Sequence, residues 1–139
     1  MEAGKIKPKE SIRLDETALN ELSGTIIAAA VEVHRELGPG LFESVYENCL
    51  AHELGQRGIE VARQVAIPVI YKGQELEIGF KADLLVQDLI VVEIKSIEKM
   101  TSLHEAQILT YLRLSGRPLG LLLNFNTKLM KDGVRRFRI

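Results

Sequence analysis

The sequence predicts an α/β chain of the α+β kind, with elements in the order α-α-β-β-β-α-β and a further edge strand. Three observations lead there. Two segments of helical period precede any strand, three β-rich segments follow one another across short turns, and a third helical segment separates them from a last buried apolar run.

In "SGTIIAAAVEVHRELGPG", Ile26, Ala30, Val33 and Leu37 recur at helical spacing, with Ser23 as the expected N-cap and Gly38-Pro39 as the stop. A second helix, "LFESVYENCLAHELGQRG", repeats Phe42, Tyr46, Cys49, Leu50 and Leu54 before Gly58 ends it. The segments "EVARQVAIPVIY", "QELEIGFKADLLV" and "LIVVEIKSI" are rich in β-branched and aliphatic residues, with breaks at Lys72-Gly73 and Gln87-Asp88. They read as an antiparallel meander whose first strand lies at an edge, because Pro68 has no N–H to give a ladder. "SLHEAQILTYLRLSG" returns to helical period through Leu103, Ala106, Leu109 and Leu112, "PLGLLLNF" is a short buried strand, and "GVRRFRI" reads as a final edge strand.

At 139 residues the chain fits one domain spanning 1–139, with the polar residues 1–14 as a flexible lead-in. A 46% hydrophobic and 27% charged composition is that of an ordinary globular protein, and no apolar run has the length of a membrane helix. The N-terminus lacks the hydrophobic stretch of a secretory signal, so a cytoplasmic location without membrane contact is expected. The single cysteine, Cys49, rules out an internal disulfide and falls in a helical apolar pattern. Charge is divided: residues 1–94 carry 9 basic and 16 acidic residues, whereas residues 95–139 carry 9 and 3. Such asymmetry fits a polyanionic partner or an acidic helical surface beside an unrelated basic edge.

The chemistry lies in "ADLLVQDLIVVEIKS", where an apolar strand ends in Glu93 and Lys95. Alternation puts these two on one face, and Asp83 stands one strand earlier, giving Asp-x9-Glu-x-Lys across a hairpin. A structural ion pair of Glu93 with Lys95 would be a poor source of stability once its desolvation is counted. Two carboxylates from adjacent strands can instead hold Mg²⁺ or Mn²⁺, and the lysine can orient water and stabilise charge on a phosphoryl group. This requires Asp83 and Glu93 to share a face, which a two-residue turn at Gln87-Asp88 forbids. An odd loop, most simply Gln87-Asp88-Leu89, or a bulge is therefore expected.

Asp83…Glu93-Ile94-Lys95 resembles the core of the PD-(D/E)XK nuclease superfamily, and Gly40-x-x-Glu43-x-x-Tyr46 in "ELGPGLFESVYE" is similar to the GxxExxY proteins. The similarity covers Leu22 to Ile139, and departs from the superfamily pattern at Ala82, where proline is usual. It implies a restriction-endonuclease-like αβββαβ core, a central mixed sheet flanked by helices. It also implies metal-dependent hydrolysis of nucleic acid, DNA before RNA, with Asp83, Glu93 and the Ile94 backbone carbonyl on the metal and Lys95 assisting.

Glu43 and Glu47 share a helix face and can close such a site; the resemblance ranks Glu43 first. With Gly40 as N-cap, Glu43 would equally serve at position N3, meeting the first-turn amides. Gln107 and Tyr111, four apart, are similar to the helix motif of RecB-like members, and His104 extends their stripe opposite the apolar face. Gly38-Pro39-Gly40 lacks the Gly-Lys-Ser/Thr of a phosphate loop and reads as an elbow. Lys128, Lys131, Arg135, Arg136 and Arg138 are the candidate phosphate contacts. A homodimer fits this reading. The rival reading is a non-catalytic module that keeps the scaffold to bind nucleic acid or a protein; the intact Asp, Glu and Lys favour the enzyme, the sparse basic and aromatic residues the module.

Overall fold

The computed structural model describes residues 15–139, so the expected lead-in over 1–14 lies outside the described residues. Two helices, α1 (Glu16–Leu37) and α2 (Glu43–Gln56), precede β1 (Val61–Tyr71), β2 (Gln74–Val86) and β3 (Ile90–Lys95). Then come α3 (Ser102–Ser115), β4 (Leu119–Asn124), a 3-10 turn at Met130–Gly133 and β5 (Val134–Arg138). Among the described residues the sheet has five strands in the order β1-β2-β3-β4-β5, antiparallel except for the parallel β3–β4 pair that α3 connects. This mixed sheet between helices is the restriction-endonuclease-like arrangement. β1 is an edge strand, as Pro68 requires, and the ladder with β2 shifts register between Pro68 and Val69. None of the described helices is long and apolar enough to cross a membrane.

Helices α1 and α2 cover one sheet face through Leu19, Ile26, Ala30, Val33, Tyr46, Leu50 and Leu54, against Leu84, Val92, Ile94, Leu121 and Leu123. The other face packs Val65, Leu85 and Val91 against Tyr111 and Leu112 of α3.

Four local expectations are corrected. α1 begins seven residues before Ser23: Asp15 is its N-cap, accepting from Thr17 N–H at 2.9 Å, and Ser23 is buried within the helix. Leu37 and Phe42, expected on apolar helix faces, are exposed, Phe42 to 84%. α2 starts at Glu43 with Phe42 as N-cap, so Glu43 is the first helical residue and not N3 of a Gly40-capped helix. On α3 the buried stripe is Ile108, Tyr111, Leu112 and Ser115, whereas Leu103 is 76% exposed and Ala106 also faces outward. The Tyr111 side therefore packs on the sheet. A Cβ on Gly120 of β4 would stand 3.0 Å from Ile108 Cδ1, so this glycine lets α3 dock on that side.

Two loops hold the ends of the functional strands and helices in place. In the α1–α2 elbow, Gly38 and Gly40 have φ of 71° and 94°, conformations that suit glycine. The Tyr46 hydroxyl closes the elbow by donating to the Gly38 carbonyl at 2.6 Å and accepting from Leu41 N–H at 3.1 Å. Its ring stacks on Phe125 at 4.5 Å. At the β2–β3 turn, Gln87 and Asp88 have φ of 52° and 58°, and Leu89 N–H donates to the Val86 carbonyl at 3.0 Å. Buried Arg117 clamps this turn, pairing with the Asp88 carboxylate and donating to the Asp88 carbonyl at 3.2 Å.

Replacing Tyr46 by Phe keeps the stacked ring but strips the elbow of both bonds. Urea denaturation of Tyr46→Phe should show a loss of about 1–3 kcal/mol, the scale for losing two net hydrogen bonds of about 0.5–1.5 kcal/mol each; unchanged stability would mean that these bonds do not hold the elbow.

Candidate active site

The β2–β3 ladder joins Val86 to Ile90, Leu85 to Val91 and Leu84 to Val92, so the loop is Gln87-Asp88-Leu89 and Asp83 lies opposite Glu93. This is the register that the metal reading needs. At that level the side chains take over from the ladder. Asp83 N–H donates to Glu93 Oε2 at 2.8 Å, and Ile94 N–H donates to Asp83 Oδ2 at 2.8 Å. Each carboxylate occupies the backbone donor of the other strand, and an opening is left between the strands. The Lys95 carbonyl accepts from Phe125 N–H on the β4 side at 2.9 Å, so Ile94, next in the alternation, turns its N–H and C=O toward the opening.

Both strands of the β1–β2 hairpin reverse faces here. Phe80 and Ala82 pack under α3, whereas Leu84 and Val86 pack under α1 and α2. Regular alternation would put all four on one face, so β2 inverts at Asp83. On β1, Ala62 and Val65 both pack under α3, so the inversion falls between them, at Arg63-Gln64. Gln64 has φ of 51° and drops out of the ladder between the Arg63–Leu84 and Val65–Ala82 pairs, opposite Asp83. Its amide donates to Glu47 Oε1 at 2.5 Å and reaches Asp83 Oδ1 at 3.3 Å. Arg63 grips the other Glu47 oxygen, with Nε at 3.2 Å and Nη2 at 2.8 Å.

The electrostatics follow from this crowding. Glu93, 5% exposed, is pushed up to about 8, first by burial and then by the Asp83 charge; the Asp83 N–H and the Lys95 ammonium pull the other way. Asp83 is also raised, chiefly by burial, with Glu47 adding to it and the Ile94 N–H opposing. Tyr111 is raised to about 12 by burial and by the two carboxylates, so its phenol stays neutral beside them. Its ring packs on Phe80 at a centroid distance of 5.1 Å.

Two walls rise from opposite sides of the sheet. On the α2 side, Glu43 Oε1 accepts from Ser96 N–H at 3.3 Å, and Ser96 Oγ donates to the Leu41 carbonyl at 2.5 Å. On the α3 side, Lys95, Leu103, His104, Gln107 and Thr110 line a cleft. Gln107 is exposed on that wall, while Tyr111 one turn further on is buried. His104 is the N3 residue of α3, and its Nδ1 accepts from Thr101 N–H at 3.0 Å. The ring therefore presents Nε2–H, a donor, and no lone pair for a metal. Asn124 ends β4 beside Lys95 and holds the chain leaving β3, accepting from Ile97 N–H at 3.1 Å and donating to the Ile97 carbonyl at 3.0 Å.

The basic residues are spread out. Arg136 and Arg138 lie on the α1 side of β5, bound to Asn20 and Glu16. Arg135 pairs with Leu122, which pairs with Glu93, so it stands level with Glu93 two strands away on the other face. Lys128 is exposed on the loop that follows β4, and Lys131, in the 3-10 turn, is exposed beside Val31, His34 and Arg35 of α1.

Asp83, Glu93, Lys95, Glu43 and Tyr111 thus converge, Gln107 borders the cleft and Glu47 joins through Gln64. Gln64, Arg63, Ser96 and Asn124 were not anticipated. A signal existed for two of these places: adjacent Arg63-Gln64 interrupts the apolar alternation of "VARQVAIPV", and Asn124 ends an otherwise apolar strand as Lys95 does.

Two carboxylates and a strand carbonyl at one opening suit a hard divalent cation completed by water. Among the described residues no three His, Cys, Asp or Glu side chains form a closed cage, so the donor set is unlike that of a structural zinc.

Metal-free protein should lose stability with rising pH. Glu93 unfolds to its ordinary 4.5 but titrates near 8 when folded, so the folded state holds the extra proton in between. Stability is full below about 4.5 and declines toward pH 8. Denaturation in EDTA across this range should show that decline, flattened in Glu93→Gln; a wild-type slope that the substitution leaves intact would contradict the assignment.

A search of curated proteins finds no match. The family described as the PD-(D/E)XK nuclease superfamily matches residues 20–137, a span from within α1 to β5 that includes every residue of the opening and its walls. With Asp83 delivered by one strand, Glu93 and Lys95 by the next, and the mixed sheet held between α1–α2 and α3, the chain belongs to the PD-(D/E)XK nuclease superfamily.

Proposed function

We propose that the protein hydrolyses phosphodiester bonds of DNA with Mg²⁺ or Mn²⁺. The observation that carries this reading is the exchange between β2 and β3, which holds the Asp83 and Glu93 carboxylates in one opening beside Lys95. Members of the superfamily generally use divalent metal ions. Asp83, Glu93 and the Ile94 carbonyl would hold the ion, which when bound supplies Lewis acidity toward a phosphoryl oxygen and an activated water.

The remaining steps belong to the chain. Glu93 must release the proton it keeps near neutral pH before it can act as a ligand. Lys95 sets an ammonium in the cleft, where it offsets the carboxylates and meets the charge that grows on phosphoryl oxygens. Tyr111, neutral, offers an O–H donor beside the carboxylates. Gln107 offers an amide from the cleft wall, and Glu43 fixes the chain at Ser96, where β3 leaves the site. Arg135, Lys128 and Lys131, which are exposed, would contact a phosphate backbone.

Within the superfamily we assign the chain to the GxxExxY proteins. Gly40 turns the elbow, Glu43 reaches the end of β3 and Tyr46 locks the elbow from beneath.

Incubating single- and double-stranded DNA and RNA with the protein should give cleavage in Mg²⁺ or Mn²⁺ and none in EDTA. Asp83→Asn and Glu93→Gln should abolish it while leaving thermal stability unchanged or raised, because each keeps the side chain's shape and removes a group whose ionisation the buried, crowded site opposes. If the wild type binds nucleic acid with metal present yet cleaves no substrate, the protein is a binding module.

Lys95→Ala separates catalysis from binding. Its cleavage rate should fall by roughly 10²–10³-fold, the scale for one preorganised charge-stabilising donor, with little change in substrate affinity. An equal loss in affinity would make Lys95 a binding residue instead.

A further inference from the structure

We propose that Gln64 is a positioning residue that sets the orientation of the Asp83 carboxylate for the cation, and that its left-handed backbone is kept for this purpose. The inference rests on the nuclease reading and adds a residue to it.

Gln64 is a non-glycine residue at φ of 51° inside an 11-residue strand, where such a conformation is strained. The inversion of faces at this level could be met by glycine with no strain. A strained glutamine instead places its amide where two acidic side chains converge. It donates to Glu47 Oε1 at 2.5 Å and to Asp83 Oδ1 at 3.3 Å, while Ile94 N–H holds Asp83 Oδ2 at 2.8 Å. Both Asp83 oxygens therefore carry a protein donor, and rotation of the carboxylate about its Cβ–Cγ bond is restrained. Each oxygen keeps a second lone pair for a ligand.

The amide is itself fixed from behind. Glu47 is held by the Arg63 guanidinium through its other oxygen, and both Glu47 and Gln64 are partly or wholly shielded from water. The chain Arg63–Glu47–Gln64–Asp83 thus runs from α2 and β1 into the opening. Its chemistry also keeps two like charges apart, because the NH₂ group stands between the Glu47 and Asp83 carboxylates and satisfies both. This is the support that metal-binding carboxylates receive from a second layer of hydrogen bonds, whose loss typically costs 10–100-fold in metal affinity.

Two substitutions separate positioning from backbone accommodation. Gln64→Gly relieves the strain and removes the amide; Gln64→Met keeps the length and the strain and removes only the amide. Mn²⁺ affinity by calorimetry and thermal stability in EDTA are measured on both full-length variants and on wild type. We expect both variants to bind Mn²⁺ about 10–100-fold more weakly, with the glycine variant more stable than the methionine variant because both lose the amide and only glycine relieves the strain. Affinity that follows stability, with Gln64→Gly binding as wild type does, would overturn the proposal while leaving the nuclease reading intact. A wild type that binds no Mn²⁺ would overturn both.

Discussion

The register of β2 against β3 is the constraint on which the site depends. A slip of one residue would turn Asp83 away from Glu93 and send Leu84 and Val86 out of the core they share with α1 and α2. The three-residue turn that sets it holds two consecutive non-glycine residues at positive φ, a conformation that needs outside support. Arg117 gives that support. It arrives from the chain segment between α3 and β4, is 3% exposed, and binds both the side chain and the backbone of Asp88. A residue that braces the register-setting turn thus enters the sequence only after the catalytic strand and its crossover helix.

Much of this was legible in the sequence because apolar periodicity reports which face is buried. The element order, the Lys72-Gly73 turn, the edge position of β1 and the odd loop after Val86 all follow from local pattern and parity. The phase of α3 did not. Leu103, Ala106, Leu109 and Leu112 and the observed Ile108, Tyr111, Leu112 and Ser115 are both helically spaced, and the choice is made by Gly120 and Phe80 on distant strands. Ser23 misled for a similar reason: a good capping residue is also small enough to be buried within a longer helix.

The site shows the same division. Asp83, Glu93 and Lys95 declare themselves because charges interrupt apolar strands. Arg63, Gln64 and Asn124 also interrupt apolar strands, but what they do depends on partners remote in sequence, which a pattern of hydropathy does not name. The division of charge along the chain also has a partly internal meaning. Arg136 and Arg138 of the basic half bind Asn20 and Glu16 of the acidic half, so some of the asymmetry ties β5 to α1.

The two borders of the sheet carry a further consequence. Along β1 the ladder is broken at Pro68, which offers no N–H, and the strand is contorted again at Gln64. At the far side β5 is only five residues long and three of these are arginines. Neither margin is a flat, regular template for another strand, which is how natural sheets resist edge-to-edge aggregation. The fold can therefore keep a splayed pair of strands, with backbone amides answered by carboxylates, in its interior while the described edges of the sheet discourage strand-to-strand pairing.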